Sequence, residues 1–243
     1  MTAIVRRVSI LAVAIASLLP CTRALAQEGP PPLLDAGPAD PSAPPFHRGL
    51  QLGARLGYSL PVGSVTSGTT GTQLSNLETG SVPLGVDFGV RVSPVTYLGT
   101  TVTWGPGVAP NGGGSCTLSN VHCAEHDVQA RLEARFYFRP NASPTGWFAL
   151  GAGWEIATFD QSIAGGYSVT STYTGLIFPD MQLGVDWRSA NGDVHFGPFI
   201  GATVSTFLTE GRDPTTSTVP TWVQNPPQHA WLTVGFHGSY GPF

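Results

Sequence analysis

Eight stretches of this chain alternate apolar with small or polar residues at a period of two. After residue 26 no stretch is continuously apolar over the roughly 20 residues that a membrane-spanning helix needs. A period of two belongs to extended strands, whose successive side chains point to opposite faces, so each stretch has one apolar face that must find cover. In the first, Leu50, Leu52, Ala54, Leu56 and Tyr58 share a face against Gln51, Gly53, Arg55 and Gly57. The second sets Leu84, Val86, Phe88, Val90 and Val92 against Gly85, Asp87, Gly89 and Arg91, and the third runs Leu98, Thr100, Val102, Trp104. The fourth is the longest, with Val128, Ala130, Leu132, Ala134, Phe136 and Phe138 interleaved with Asp127, Gln129, Arg131, Glu133, Arg135 and Tyr137. Phe148 to Ile156, Met181 to Trp187, Phe196 to Val204 and Leu232 to Tyr240 complete the set.

The connections between these stretches alternate long and short, as in an antiparallel meander whose turns are tight at one end and extended at the other. The short ones, at Ser93-Pro94, Asn141 to Pro144 and Ala190-Asn191-Gly192, hold turn residues. An even number of strands closes an antiparallel sheet on itself, and outward Tyr58, Trp104 and Trp154 fall at one end of their strands, with Phe136, Phe138, Phe148, Trp187, Phe196 and Tyr240 at the other. Pro83 and Pro198 interrupt the pattern, and a bulge is expected at each because a closed sheet has no edge that tolerates a missing donor.

Alternation alone does not say which face points outward, since a soluble ligand-binding barrel alternates with its apolar face inside. The polar row decides. It carries Arg55, Asp87, Arg91, Arg131, Glu133, Arg135, Glu155, Asp180 and Asp186, nearly balanced in sign and set among glycines. All 11 basic residues of the chain are arginine, and charged residues make up 11% of it, against about 25% in soluble domains. A soluble exterior would carry scattered lysine and glutamate. Paired charges and small residues suit the narrow interior of eight strands, and buried charges must be paired. Ion pairs are therefore expected to fill the lumen, as a plug or, with Glu155 among Arg131 and Arg135, as a gate. The two readings use the same residues.

Ahead of the strands, Arg6 and Arg7, the apolar run from Val8 to Leu19 and Ala24-Leu25-Ala26 form the three regions of a cleavable secretory signal over residues 1–26. Acylation of Cys21 is the alternative, and Pro20 stands against it. Residues 27–46 hold seven prolines and are expected to form an extended, disordered periplasmic segment, leaving residues 47–243 for the barrel. In an oxidising compartment Cys116 and Cys123 are expected to pair across one loop.

Absence of lysine excludes the phosphate-binding lysine of a Walker loop and any Schiff base. His122-Cys123-Ala124-Glu125-His126 matches the string of inverted zincins, whose chemistry needs a helix to bring both imidazoles to one zinc ion. His237 and Ser239 resemble the His-x-Ser pair of barrel-shaped lipid A deacylases, without the later carboxylate. Both strings are read as non-catalytic. No cofactor, metal or nucleic-acid partner is expected.

From Arg48 onward the chain resembles the OmpA and OmpX type of outer-membrane barrel. Leu232, Val234, Phe236, Tyr240 and the terminal Phe243 look like the signal by which the barrel-assembly machinery recognises its clients, although Phe243 is out of phase and follows Pro242. The resemblance implies an all-β, eight-stranded antiparallel up-and-down transmembrane β-barrel, with short periplasmic turns, long extracellular loops, a periplasmic N-terminus and outer-membrane lipids around it. The expected role is non-enzymatic: structural in the envelope, or interaction with an extracellular partner through the loops. A narrow pore or small-ligand conduit, and a membrane-embedded lipid-modifying enzyme, are the alternatives.

Overall fold

The computed structural model describes residues 49–65, 73–108, 121–163, 167–190, 192–213, 221–223 and 226–241. The expected leader and proline-rich segment, Cys116 of the expected disulfide, and Phe243 lie outside the described residues. Eight long strands carry the fold, in chain order β1 (Gly49–Gly63), β3 (Leu84–Ser93), β4 (Thr96–Val108), β5 (Val121–Tyr137), β6 (Thr145–Ile163), β7 (Tyr167–Arg188), β8 (Val194–Asp213) and β10 (Gln228–Tyr240). Two short strands, β2 (Gly80–Ser81) and β9 (Thr221–Trp222), and one helical turn, α1 (Leu74–Leu77), sit in the connections.

Every long strand pairs antiparallel with the next, and β10 returns to β1 from Leu52↔Tyr240 to Gly63↔His229. The sheet is closed, so the eight long strands leave no edge. This is the up-and-down barrel that the alternation requires. Its short connections, 94–95, 138–144 and 189–193, lie at one end.

The pleat then sorts the side chains. Leu132 is 70% exposed, and Leu50, Val86, Phe88, Ile200, Val234 and Phe236 also stand open on the outer wall, whereas Arg55, Asp87, Glu133 and Arg135 are buried within. Leucines outside and arginines inside are the reverse of a soluble container. A strand crosses a bilayer in about 9–11 residues when tilted. The 22 residues of β7 and 20 of β8 therefore rise well beyond the belt at the long-loop end.

That extension departs from the sequence reading, which leaves residues 157–180 as the connection between the fifth and sixth stretches; β6 and β7 instead run on until residues 164–166 join them. The cause is a change of phase. Gly151 and Gly153 on β6 pair with Asp180 and Ile177 on β7, and the same two residues of β7 pair with Thr203 and Ser205 on β8. Strand β7 thus holds one extra residue, at Phe178-Pro179, so inward positions are odd above it (Tyr173, Ile177) and even below it (Asp180, Gln182). An alternation read from Met181 stops at that bulge.

The bulges expected at Pro83 and Pro198 are not found. Pro83 lies outside β3 and offers its carbonyl to the Gly57 amide at 3.0 Å. Pro198 stays in register opposite Phe236 on β10, and its ladder to β7 is merely interrupted between Gly184↔Phe199 and Trp187↔Phe196. The interruption removes the two pairings between those positions and shifts no register. The adjoining Gly197 is tighter: a Cβ there would overlap the carbonyl oxygen of Val185 on the neighbouring strand. Gly197→Ala is expected to destabilise the barrel by about 1–3 kcal/mol, read as a lower urea midpoint in lipid vesicles. An unchanged midpoint would show that the strands part at no cost.

Candidate functional site

Period two places Arg131, Glu133 and Arg135 on one face of β5, and closure brings Arg55 of β1, Asp87 of β3, Asp180 and Gln182 of β7 and His237 of β10 against them. Arg55 holds Asp87 with two nitrogens, at 3.2 Å from Nε and 2.7 Å from Nη2, while Nη2 lies 3.1 Å from Glu133 and Nη1 donates to Gln182 Oε1 at 2.7 Å. Arg135 donates to Glu133 Oε1 from Nη2 at 2.7 Å and from Nε at 3.1 Å. Its Nη1 is 3.0 Å from His237 Nε2. The Thr101 hydroxyl donates to Asp87 at 2.7 Å. Two cations and two anions thus interlock across the axis, and Arg55, Arg135 and Asp87 each have a further hydrogen-bond partner, which is the condition for holding charge away from water.

A second pair lies beside the first. Arg131 Nη1 is 3.0 Å from Asp180, which also accepts from Thr203 Oγ1 at 2.7 Å and from Gln182 Nε2 at 2.9 Å. Gln182 accepts from Arg55 and donates to Asp180, joining the two groups. The cavity left between them, lined by Arg55, Ser59, Asp127, Arg131, Asp180 and Trp231, holds about 30 Å³. That is room for about two water molecules.

Aromatic side chains close both ends. At the short-turn end Tyr97, Tyr137, Trp147 and Phe199 pack together. The Arg135 guanidinium lies over Trp147 at 4.5 Å, Arg91 lies over Tyr137 at 4.1 Å, and Trp147 Nε1 donates to Asp186 at 2.9 Å. At the long-loop end Glu155 accepts from Trp231 Nε1 at 2.7 Å and lies 2.8 Å from His229 Nε2. Above it Val65, Leu74, Phe159, Tyr173, Phe207 and Trp231 form an apolar cap.

The nine charges of the expected lumen network all face inward, but they do not form one cluster. Arg55, Asp87, Glu133 and Arg135 meet, Arg131 and Asp180 pair beside them, Arg91 and Asp186 belong to the short-turn end, and Glu155 stands apart. Its partners are His229 and Trp231, not Arg131 and Arg135, so the gate as first drawn loses its geometry. The sequence reading leaves Gln182, Thr101, Thr203 and His229 out of the network and takes His237 only as half of a His-x-Ser pair, although each stands opposite the apolar row of its own strand. It also overlooks inward Trp147, Tyr97 and Phe207, because an apolar ring in a polar row carries no charge to draw attention.

The two motif strings fall on strands. His122 and His126 lie four residues apart on β5, about 13 Å along an extended chain, with Glu125 on the opposite face. Ser239 accepts from Gln51 Nε2 at 2.7 Å inside the barrel, and His237 is engaged with Arg135. Among the described residues no group of three or more His, Cys, Asp or Glu side chains is placed to hold a metal ion.

No family model and no curated protein sequence matches the chain. Among solved structures it is similar to Neisserial surface protein A, at 14% identity over 78% of this chain and 95% of that one with a TM-score of 0.39. It is similar to Ail, the attachment invasion locus protein of Yersinia pestis, at 11% identity over 78% and 98% with a TM-score of 0.41. A major outer membrane protein from Thermus thermophilus aligns at 10% identity over 80% and 99% with a TM-score of 0.49. The assignment of this chain to the small transmembrane β-barrels rests on its own closed pairing and on the facing of its side chains.

Proposed function

We propose that the chain is a closed, non-enzymatic integral barrel of the outer membrane, structural in the envelope or presenting its long-loop end to a partner outside the cell. The observation that carries this reading is the inverted facing: a continuous outer wall of exposed Leu, Val and Phe around an interior of interlocked Arg, Asp and Glu. Such a wall is stable only against acyl chains, and only a closed sheet satisfies its backbone there. Outer-membrane lipids are thus its first partners. The row Leu232, Val234, Phe236 and Tyr240 on the outer face of β10 fits recognition by the barrel-assembly machinery. Specificity for an external partner would lie in the upper walls of β6, β7 and β8 and the connections above them, since the belt itself reads only hydrocarbon.

A narrow conduit is the second reading, and the interior argues against it: among the described residues two ion-paired groups and an aromatic layer toward each end fill the lumen around a cavity of about 30 Å³. The lipid-enzyme reading loses its nucleophile, because Ser239 is held by Gln51 within the lumen. The test is to reconstitute the full chain in lipid vesicles and planar bilayers. Gel mobility is expected to change on boiling, the protein to stay with the membrane through alkaline washing, and the bilayers to show no conductance steps. Steps of defined size would overturn the closed interior, and release by the wash would overturn membrane residence.

A further inference from the structure

The segment Gln73–Val82, between β1 and β3, is folded into the long-loop mouth. Its Thr79 amide donates to Val108 at 2.9 Å and its Val82 amide to Pro106 at 3.1 Å, while the Glu78 amide closes α1 onto Leu74 at 3.1 Å. Leu74 is fully buried in the apolar cap. Beside it Glu78 is also fully buried, although it lies in a connection, and its carboxyl approaches that of Glu125 on β5. A Cβ on Gly107 would overlap Oε2 of Glu125 and lie 2.9 Å from Oε2 of Glu78. None of the four carboxyl oxygens has a hydrogen-bond donor among the described residues.

Two buried carboxyls in apposition cannot both be ionised; one must carry a proton and donate it to the other. The surroundings supply little compensation. The groups facing the pair are Asp127 on β5 and Glu155 on β6, both acidic, and His229 on β10, whose Nε2 is engaged with Glu155; Arg131 lies beyond Asp127. We infer that Glu78 and Glu125 form a proton-sharing latch that holds the segment Gln73–Val82 in the barrel mouth and releases it when the proton is lost.

Burial holds the Glu78 carboxyl above its ordinary value. A group raised in this way stabilises the docked segment at low pH, and the contribution disappears as pH rises through the docked-state value. Release would uncover the aromatic cap and Glu155, while the Arg55 and Arg135 layer below would still block the lumen. Failure of the latch therefore leaves the closed-barrel reading intact.

The test is hydrogen exchange of the full chain in phosphatidylcholine vesicles between pH 5 and 9, corrected for the intrinsic dependence of exchange on pH. The Glu78, Thr79 and Val82 amides are expected to lose protection by up to about tenfold per pH unit as pH rises from the ordinary carboxyl range toward the docked-state value, with the β4–β5 ladder unmoved. Glu78→Gln and Glu125→Gln should each keep the segment protected across the range, because an amide can donate to the remaining carboxylate. Protection of the wild-type segment that does not vary with pH would overturn the latch. So would equal loss in β4 and β5, which marks general unfolding, or a wild-type pH profile retained by both variants.

Discussion

Arg55→Met is expected to lower the stability of the folded barrel by about 3–5 kcal/mol, the cost of leaving buried charge without its partner. Methionine keeps most of the volume of the arginine stem, so the loss is electrostatic and not a cavity. Asp87 and Glu133 are left with Arg135, whose nearest approach to Asp87 is 3.8 Å against 2.7 Å for Arg55, and Gln182 loses the donor to its carbonyl. Removing one negative charge with the positive one tests the cause: Arg55→Met with Glu133→Gln should recover part of the loss, because the remaining charges, Asp87 and Arg135, again balance. Urea unfolding in vesicles, followed by tryptophan fluorescence, measures both. A loss under about 1 kcal/mol for the single variant, or strict additivity in the double, would mean that water reaches these groups and that the interior is not a sealed ionic layer.

Leu132→Arg probes the other face. Leu132 stands on β5 midway between Val128, paired to Trp104, and Phe136 near the short-turn end, and it is the most exposed large apolar side chain on that strand. An arginine at the middle of a lipid-facing wall costs about 2–4 kcal/mol, and the urea midpoint in vesicles should fall accordingly. The same substitution on a water-facing wall is neutral within about 0.5 kcal/mol. A midpoint that does not move would place water, and not hydrocarbon, against the leucine row, and the membrane reading would fail with it.

Much of this was legible in the chain because a strand of period two carries its facing in its own residue order. From residues 127–138 alone, Arg131, Glu133 and Arg135 are known to share a side and Leu132 and Phe136 to share the other. Absence of lysine and balance of charge indicate which side lies inside. The reading faltered where local order ceases to be informative. At Phe178-Pro179 one extra residue reverses the parity of β7, so the upper half of that strand looked like loop. Above the belt the outward residues of β7, such as Thr170, Thr172 and Thr174, face water and are polar, so alternation no longer marks a strand that pairing still sustains.

By itself the sequence determined that strands cross a membrane, that eight of them close, and, below the bulge in β7, which side chains enter the lumen, because each of these follows from periodicity and charge along single segments. Only the tertiary structure decided who meets whom inside. Arg55 finds Asp87 and Glu133 from strands 32 and 78 residues away, and Glu155 turns from the arginines to His229, 74 residues on. Such partnerships depend on the stagger with which strands pair around the closed wall, and stagger is set by bulges, twist and packing across the axis together, which no one segment records.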